Sequence, residues 1–346
     1  MSHSRQLRVV AIGGGTGLST LLRGLKRYVA APRSNTTFHS GVLPVAGPAS
    51  DAFPCLIRQL SAIVTVTDDG GSSGRLREDL NMLPPGDVRN CMVALSEDEH
   101  LLSRLFQYRF SQGDLQGHSF GNLFVAALTG ITGDFAQAVH TSSQILATRG
   151  RIYPSTTANA TLSARMDDGS LVEGETNITA SKRTIRELIL DPPDAPPVPE
   201  TLAAIAAADL ITLGPGSLYT SLITNLLVRG IPEAIASSNA TRVYICNLMT
   251  QANESLGLTA AQHIERIFDH AGERIFDYAL INTAPILPRT LEQYAREGQE
   301  PIAADLERVR ALGVEPLTGN FVHEGEVLRH GYDKVAETVL NLALNN

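Results

Sequence analysis

Tryptophan is absent from the chain, and cysteine is scarce: Cys55, Cys91 and Cys246 only. Three scattered thiols, odd in number and without metal-ligand spacing, argue against both a disulfide framework and a cysteine-built zinc site. A reducing cytosol is the expected compartment. Cys246 closes the β-prone run Arg242–Cys246 and is expected as a small buried hydrophobe. Basic residues are outnumbered, 28 Lys and Arg against 36 Asp and Glu, for a net charge of −8. That balance disfavours non-specific nucleic-acid or anionic-membrane binding, while leaving room for a local phosphate pocket. No apolar run reaches the ~18 residues of a membrane span. The run Leu7–Ile12 is too short for a signal-peptide core and enters glycines at once, so it reads as a strand. No repeat of solenoid period is present. What is there, 43% hydrophobic and 18% charged residues in 346, suits a globular core that needs no staple.

Along the chain, the buried-type strand Leu7–Ile12 is followed by Thr16–Tyr28, whose Leu18, Leu21, Leu22 and Leu25 recur at helical spacing. Residues 31–60 are rich in Ala, Pro, Ser and Gly and read as an inserted loop or lid. A second strand is expected at Ser61–Thr67, giving a βαβ start. Ser72–Leu146 reads as mostly helical, with apolar stripes at Leu101, Leu102, Leu105 and Phe106 and at Phe120, Leu123, Phe124, Ala127 and Leu128. The turn signal Asp168-Gly169 predicts a small antiparallel excursion over about 151–178, and the proline-rich run Asp191–Pro199 a stiff connector. Strands at Asp209–Leu213, Arg242–Asn247 and Phe276–Asn282 then alternate with helices at Leu202–Ala208, from Ser217, and at Thr259–Ala271. Asp333–Leu344 is a closing helix. This pattern predicts a single α/β domain over 1–346, with a mainly parallel sheet and helices on both faces. Ligands on such sheets sit beyond the carboxyl ends of the strands.

Several segments could carry chemistry. Gly13-Gly14-Gly15-Thr16-Gly17 follows the first strand and opens a helix, where bare amides and the helix dipole favour a phosphate; the bland alternative is a tight turn. Asp68-Asp69-Gly-Gly-Ser72-Ser73-Gly-Arg75 follows the second strand. Its acids suit ribose hydroxyls or a divalent ion, or merely cap a helix. Arg75 and Arg77 oppose the dipole of that helix, which points to a nearby anion. In Pro84–Asn90, Asp87 stands near a helix start and Arg89 is either a phosphate clamp or a solvated side chain. His118 and Asn122 share a helix face and read as ligand contacts before catalytic groups. Gly214-Pro-Gly216-Ser217 repeats the arrangement of strand end, glycine turn and helix start, which suggests a ligand lying across the crevice between the halves. Asn225, Thr250 and Gln251 lie close to strand ends. Tyr294, and Arg329 with His330, read from residues alone as surface or packing positions.

Taken in order, GGGTG, TDDGGSSGRLR, PPGDVRN, GHSFGN, GPGSLYTS and NLMTQ resemble the gluconeogenesis-factor (YvcK) family within the CofD-like superfamily, from about Arg8 to the C-terminal helix. The resemblance implies a Rossmann-like α/β fold and binding of a UDP-sugar such as UDP-N-acetylglucosamine, in a cytoplasmic protein serving cell shape and envelope synthesis during gluconeogenic growth. By motif position it assigns the ligand to Gly13, Gly14, Gly15, Thr16, Gly17, Asp68, Asp69, Ser72, Ser73, His118, Asn122, Gly214, Gly216, Ser217, Asn225, Thr250, Gln251, Tyr294 and Arg329. The chain departs from the family at Ala252-Asn253-Glu254-Ser255, where Pro-Gly-Glu-Thr is usual. It departs again at Thr224-Asn225-Leu226-Leu227, where the family has Pro-Asn-Leu-Leu. The expected partners are a UDP-sugar and proteins of cell-envelope synthesis, with a homodimer admitted and neither nucleic acid nor membrane insertion.

Two other readings compete with a non-catalytic sensor. One is a Mg-dependent transferase of the 2-phospho-L-lactate transferase type, acting on a diphosphonucleotide donor with Asp68 and Asp69 on the metal. The other, an NAD-linked dehydrogenase, lacks the glycine spacing of the dinucleotide fingerprint.

Overall fold

In the computed structural model, residues 6–30, 54–97, 101–181 and 183–346 are described. Seven parallel strands form the main sheet: β1 (Leu7–Gly13), β2 (Ile57–Val64), β3 (Arg151–Pro154), β7 (Leu210–Leu213), β8 (Thr241–Ile245), β9 (Tyr278–Asn282) and β10 (Glu315–Gly319). Their order across the sheet is β10-β9-β8-β7-β1-β2-β3. The chain builds outward from β1 through β2 to β3, then returns to the other flank of β1 and builds outward again. The direction of winding therefore reverses between β1 and β7. At such a reversal the two flanking connections leave toward opposite faces, and a crevice opens past the strand ends.

Strand periodicity explains how both faces are buried. Val9 and Ala11 face one side with Ala62 and Val64; Val10 and Ile12 face the other with Ile63 and Ile211. The first face is covered by α1 (Gly15–Lys26), by α3 (Gly86–Leu95) and by the helix Tyr332–Asn345. Leu18, Leu21, Leu22 and Leu25, at helical spacing, are all buried there. The second face is covered by the helices Pro199–Ala206, Ile231–Ala236 and Ala260–Ala271. The last begins with a capping box in which Thr259 and Gln262 satisfy each other's backbone amides.

The expected helical stretch after β2 resolves into α2 (Gly71–Leu80), α3, α4 (Leu101–Gln107), α5 (Phe120–Thr132) and α6 (Phe135–Ile145). The antiparallel excursion is real but displaced. Arg151–Pro154 pairs in parallel with β2 as the edge of the main sheet. The separate sheet runs from Thr161 to Asp191, as β4 (Thr161–Met166), β5 (Leu171–Glu173) and β6 (Ile185–Asp191), with α7 (Glu175–Ala180) between the last two. The Asp168-Gly169 turn does join β4 to β5, with Arg165 opposite Leu171. The second strand begins at Ile57, earlier than its sequence suggests, because Ile57 and Leu60 are already buried against β1. The insertion read at 31–60 thus ends sooner, and its residues 31–53 lie outside the described residues. A short ribbon, β11 (Val322–Glu324) and β12 (Leu328–His330), stands after β10. No described helix is long and apolar enough to cross a membrane.

Candidate ligand-binding cleft

The glycine turns after β1 and β7 touch. A Cβ built on Gly17 would lie 2.3 Å from the Pro215 carbonyl oxygen, and one on Gly216 would lie 3.4 Å from that of Gly14. At Gly17 only glycine allows this approach of backbone to backbone. Beneath the turns, Asn225 is fully buried and its Nδ2 donates to the carbonyls of Gly13 (3.1 Å) and Ser221 (2.7 Å). Gly13, Gly214 and Asn225 therefore build the floor from behind instead of lining it.

Above the turns lies a cleft of about 570 Å³, within the size range of small-molecule sites. It is lined by Gly14, Gly15, Thr16, Gly17, Asp68, Gly216, Ser217, Thr250, Gln251, Tyr294 and Arg329 from the sequence reading, and by Asp87, Glu175, Asn247, Glu254 and His330 besides. Gln251 Nε2 donates to Ser217 Oγ at 3.0 Å, and Asn247 Nδ2 donates to Gln251 Oε1 at 3.3 Å. Thr250 is pinned by its Oγ1, which accepts from the Glu300 amide at 3.0 Å. The rim is one unit. Glu324 on β11 accepts from the Leu287 amide and from Thr290 Oγ1, fastening the ribbon to the helix Pro288–Ala295. Tyr294 Oη accepts from the Leu328 amide at 3.2 Å. Tyr294 and Leu328 pack against the buried cluster Leu248, Met249 and Ile286.

The helix starts at the cleft are not empty of charge. Asp87 Oδ2 accepts from the Gly15 amide at 2.7 Å, the first donor of α1. Glu254 accepts from the Tyr219 amide at 3.3 Å and from Thr220 Oγ1 at 2.9 Å, at the start of the π-helical turn Leu218–Ile223. Two of the amide sites expected to take phosphate are thus capped by the protein's own carboxylates. In the first turn of α1 the amides of Thr16 and Gly17 still have no i−4 carbonyl within the helix, and both residues line the cleft. Burial, with neighbouring acids adding to it, raises the pKa values of the cleft acids. Burial pushes the Asp87 carboxyl up to about 6, with the Asp68 carboxylate adding and the Gly15 amide opposing. Burial, then Asp68, Asp87 and Glu254, push Glu175 up to about 9. Burial also raises Glu254, against its bonds from Thr220 and Tyr219.

The other sequence-derived residues form a separate cluster. Asn122 Nδ2 donates to Ser72 Oγ at 3.1 Å, and Ser72 Oγ lies 3.0 Å from His118 Nδ1. All three are buried, and burial, then Arg75, lowers the His118 pKa. Ser73 is buried against Gly86 at the start of α3. Asp69 turns away, accepting from the Thr176 amide (2.8 Å) and Thr176 Oγ1 (2.6 Å) at the start of α7. Asp68 and Asp69 therefore do not point together, and among the described residues no group of three or more His, Cys, Asp or Glu could hold a metal ion. The arginines expected beside an anion serve the protein's own neutral acceptors instead. Arg75 donates to Gln116 and Arg77 to Ala160, while Arg89 donates to Ser119 Oγ and Asn90 Oδ1. The sequence gives no sign of Glu175, which reaches the cleft from the small sheet. Asp87 carried only the signal of a helix-start acid, and Glu254 only that of a family position.

A parallel sheet wound in both directions from β1, with paired glycine turns at the reversal, defines a Rossmann-like α/β protein with a candidate ligand cleft at the switch point. The comparisons give the particular family. The family model described as 2-phospho-L-lactate transferase CofD matches residues 9–322. The gluconeogenesis factor of Halalkalibacterium halodurans is 46% identical over 97% of this chain and 96% of its own length. That of Bacillus subtilis is 43% identical over 97% and 98%. A crystal structure of a Bacillus halodurans protein described as a member of the UPF0052 family superposes with a TM-score of 0.87 at 46% identity, covering 97% of this chain and 99% of the other. The chain belongs to the CofD family, in its gluconeogenesis-factor group.

Proposed function

We propose that this protein is a cytoplasmic gluconeogenesis factor that binds a nucleotide sugar of the UDP-N-acetylglucosamine type in the cleft and reports its supply to proteins of envelope synthesis. The observation that carries the reading is the contact between the Gly14–Gly17 and Gly216–Ser217 turns at the reversal of the sheet. It supports a diphosphate lying across both turns, on the open Thr16 and Gly17 amides and the Ser217 hydroxyl. Tyr294 and Arg329 on the rim suit stacking and charge pairing with the rest of the ligand. The names of the relatives support the gluconeogenesis-factor part of the reading.

Calorimetry tests it: saturable heat with UDP-N-acetylglucosamine, without consumption of the ligand on prolonged incubation, is the expected result. No heat with UDP-sugars, but clear heat with another nucleotide, would reject the ligand. Product formed from a diphosphonucleotide donor and an acceptor would replace sensing by transfer.

A further inference from the structure

The inner wall of the cleft holds a group with a fixed polarity that the diphosphate does not use. His330, at the end of β12, lines the cleft and is half-buried. Its Nε2 lies 3.0 Å from the Cys246 carbonyl oxygen, just past the end of β8. A carbonyl only accepts, so Nε2 carries the hydrogen and Nδ1 is left as a bare acceptor. Among the described residues the ring makes no hydrogen bond besides that one. Nor is Nδ1 among the buried side-chain atoms left without a partner, so it keeps some exposure, on a ring that lines the cleft. Burial lowers the ring's pKa to about 4 against the pull of the Cys246 carbonyl. The tautomer therefore persists across neutral pH.

A bare lone pair repels phosphate oxygens and rewards a donor. We propose that His330 is a specificity-determining residue, whose Nδ1 accepts a hydrogen bond from a hydroxyl or amide N–H on the uncharged half of the nucleotide sugar. This rests on the nucleotide-sugar reading. It adds an orientation: the charged half of the ligand lies on the glycine turns, and the uncharged half lies toward β12.

Three variants separate the two ring nitrogens. His330→Gln places an amide near Nε2, keeps the donor to Cys246 and loses the Nδ1 acceptor. His330→Asn places its oxygen near Nδ1 and gives up the Cys246 bond. His330→Phe loses both. Titrating UDP-N-acetylglucosamine by calorimetry should show affinity weakened roughly tenfold in His330→Gln and His330→Phe, the scale of one lost hydrogen bond, and held within about threefold in His330→Asn. Displacement by inorganic pyrophosphate, which has no uncharged half, should be equal in all four proteins. His330→Gln binding the sugar nucleotide as the parent does would overturn the assignment. So would an equal loss of pyrophosphate affinity, which would place the phosphates at this end. If the parent protein itself binds no UDP-sugar, the ligand reading fails first and the assignment falls with it.

Discussion

Replacing Gly17 by alanine tests the geometry on which the cleft depends. The new methyl would lie 2.3 Å from the Pro215 carbonyl oxygen, 2.7 Å from its carbon and 3.0 Å from Gly216 Cα. Ordinary contact begins near 3.4 Å. All three neighbours are backbone, so no side chain can swing aside, and the two turns must part by about 1 Å in an interior packed like a crystal. Overpacking of this kind costs about 1–3 kcal/mol, and a backbone obstacle argues for the upper end. Unfolding entropy of about 2.1 cal/mol/K per residue gives the whole chain roughly 0.7 kcal/mol/K. A cost near 3 kcal/mol then lowers the thermal midpoint by roughly 4 °C. Affinity for UDP-N-acetylglucosamine should fall further than stability does, because a diphosphate spanning both turns loses its fit to one of them, for at least a tenfold loss. Gly130→Ala is the control. It lies in α5 with nothing within 4 Å of the added methyl, so it should leave binding alone and stabilise by about 1 kcal/mol. Differential scanning fluorimetry and calorimetry read both quantities. A Gly17→Ala protein with the parent's midpoint and affinity would refute the contact between the turns.

Asp87→Asn keeps an acceptor on the Gly15 amide but removes the charge beside the proposed diphosphate, so affinity at pH 8 should rise several-fold by calorimetry; a fall would mean that Asp87 supports the ligand. Because Asp87 and Glu175 hold protons in the folded protein up to about pH 6 and pH 9, which the unfolded chain releases near pH 4 to 4.5, their stability contribution is full below that range. It is lost as pH rises through 6 and then 9. The thermal midpoint and the affinity for the anionic ligand should both decline between pH 5 and 9, and a midpoint or affinity that climbs over that range contradicts the burial of these acids beside one another. Asn225→Ala removes both bonds that tie Gly13 to Ser221 from within the core. It should cost about 2 kcal/mol by denaturant titration, and an unchanged midpoint denies Asn225 its bracing role.

Local chemistry written in order along the chain accounts for much of what was legible. β1 and β7 are short runs of apolar residues ending in glycines, and the helices after them show their period, so the turns, the parallel sheet and the Asp168-Gly169 hairpin could be read directly. The edge strands β3 and β10 are short and each contains a proline, Pro154 and Pro316, which blunts their pattern. Their place in the sheet follows from pairing with β2 and β9.

What the residues determined unaided was the menu of parts: strands that must be buried on both faces, glycine turns able to approach another backbone, and a surplus of acids. Only the tertiary structure decided which parts meet. It set Asp87 and Glu254 on the very helix starts that looked free, sent Asp69 to Thr176, turned Arg75, Arg77 and Arg89 onto internal acceptors, and brought Glu175 and His330 in from distant segments. The physical reason is that propensity and periodicity act over a few residues, whereas a helix terminus or a buried carboxyl is satisfied by whatever group folding places within about 3 Å of it, at any separation along the chain.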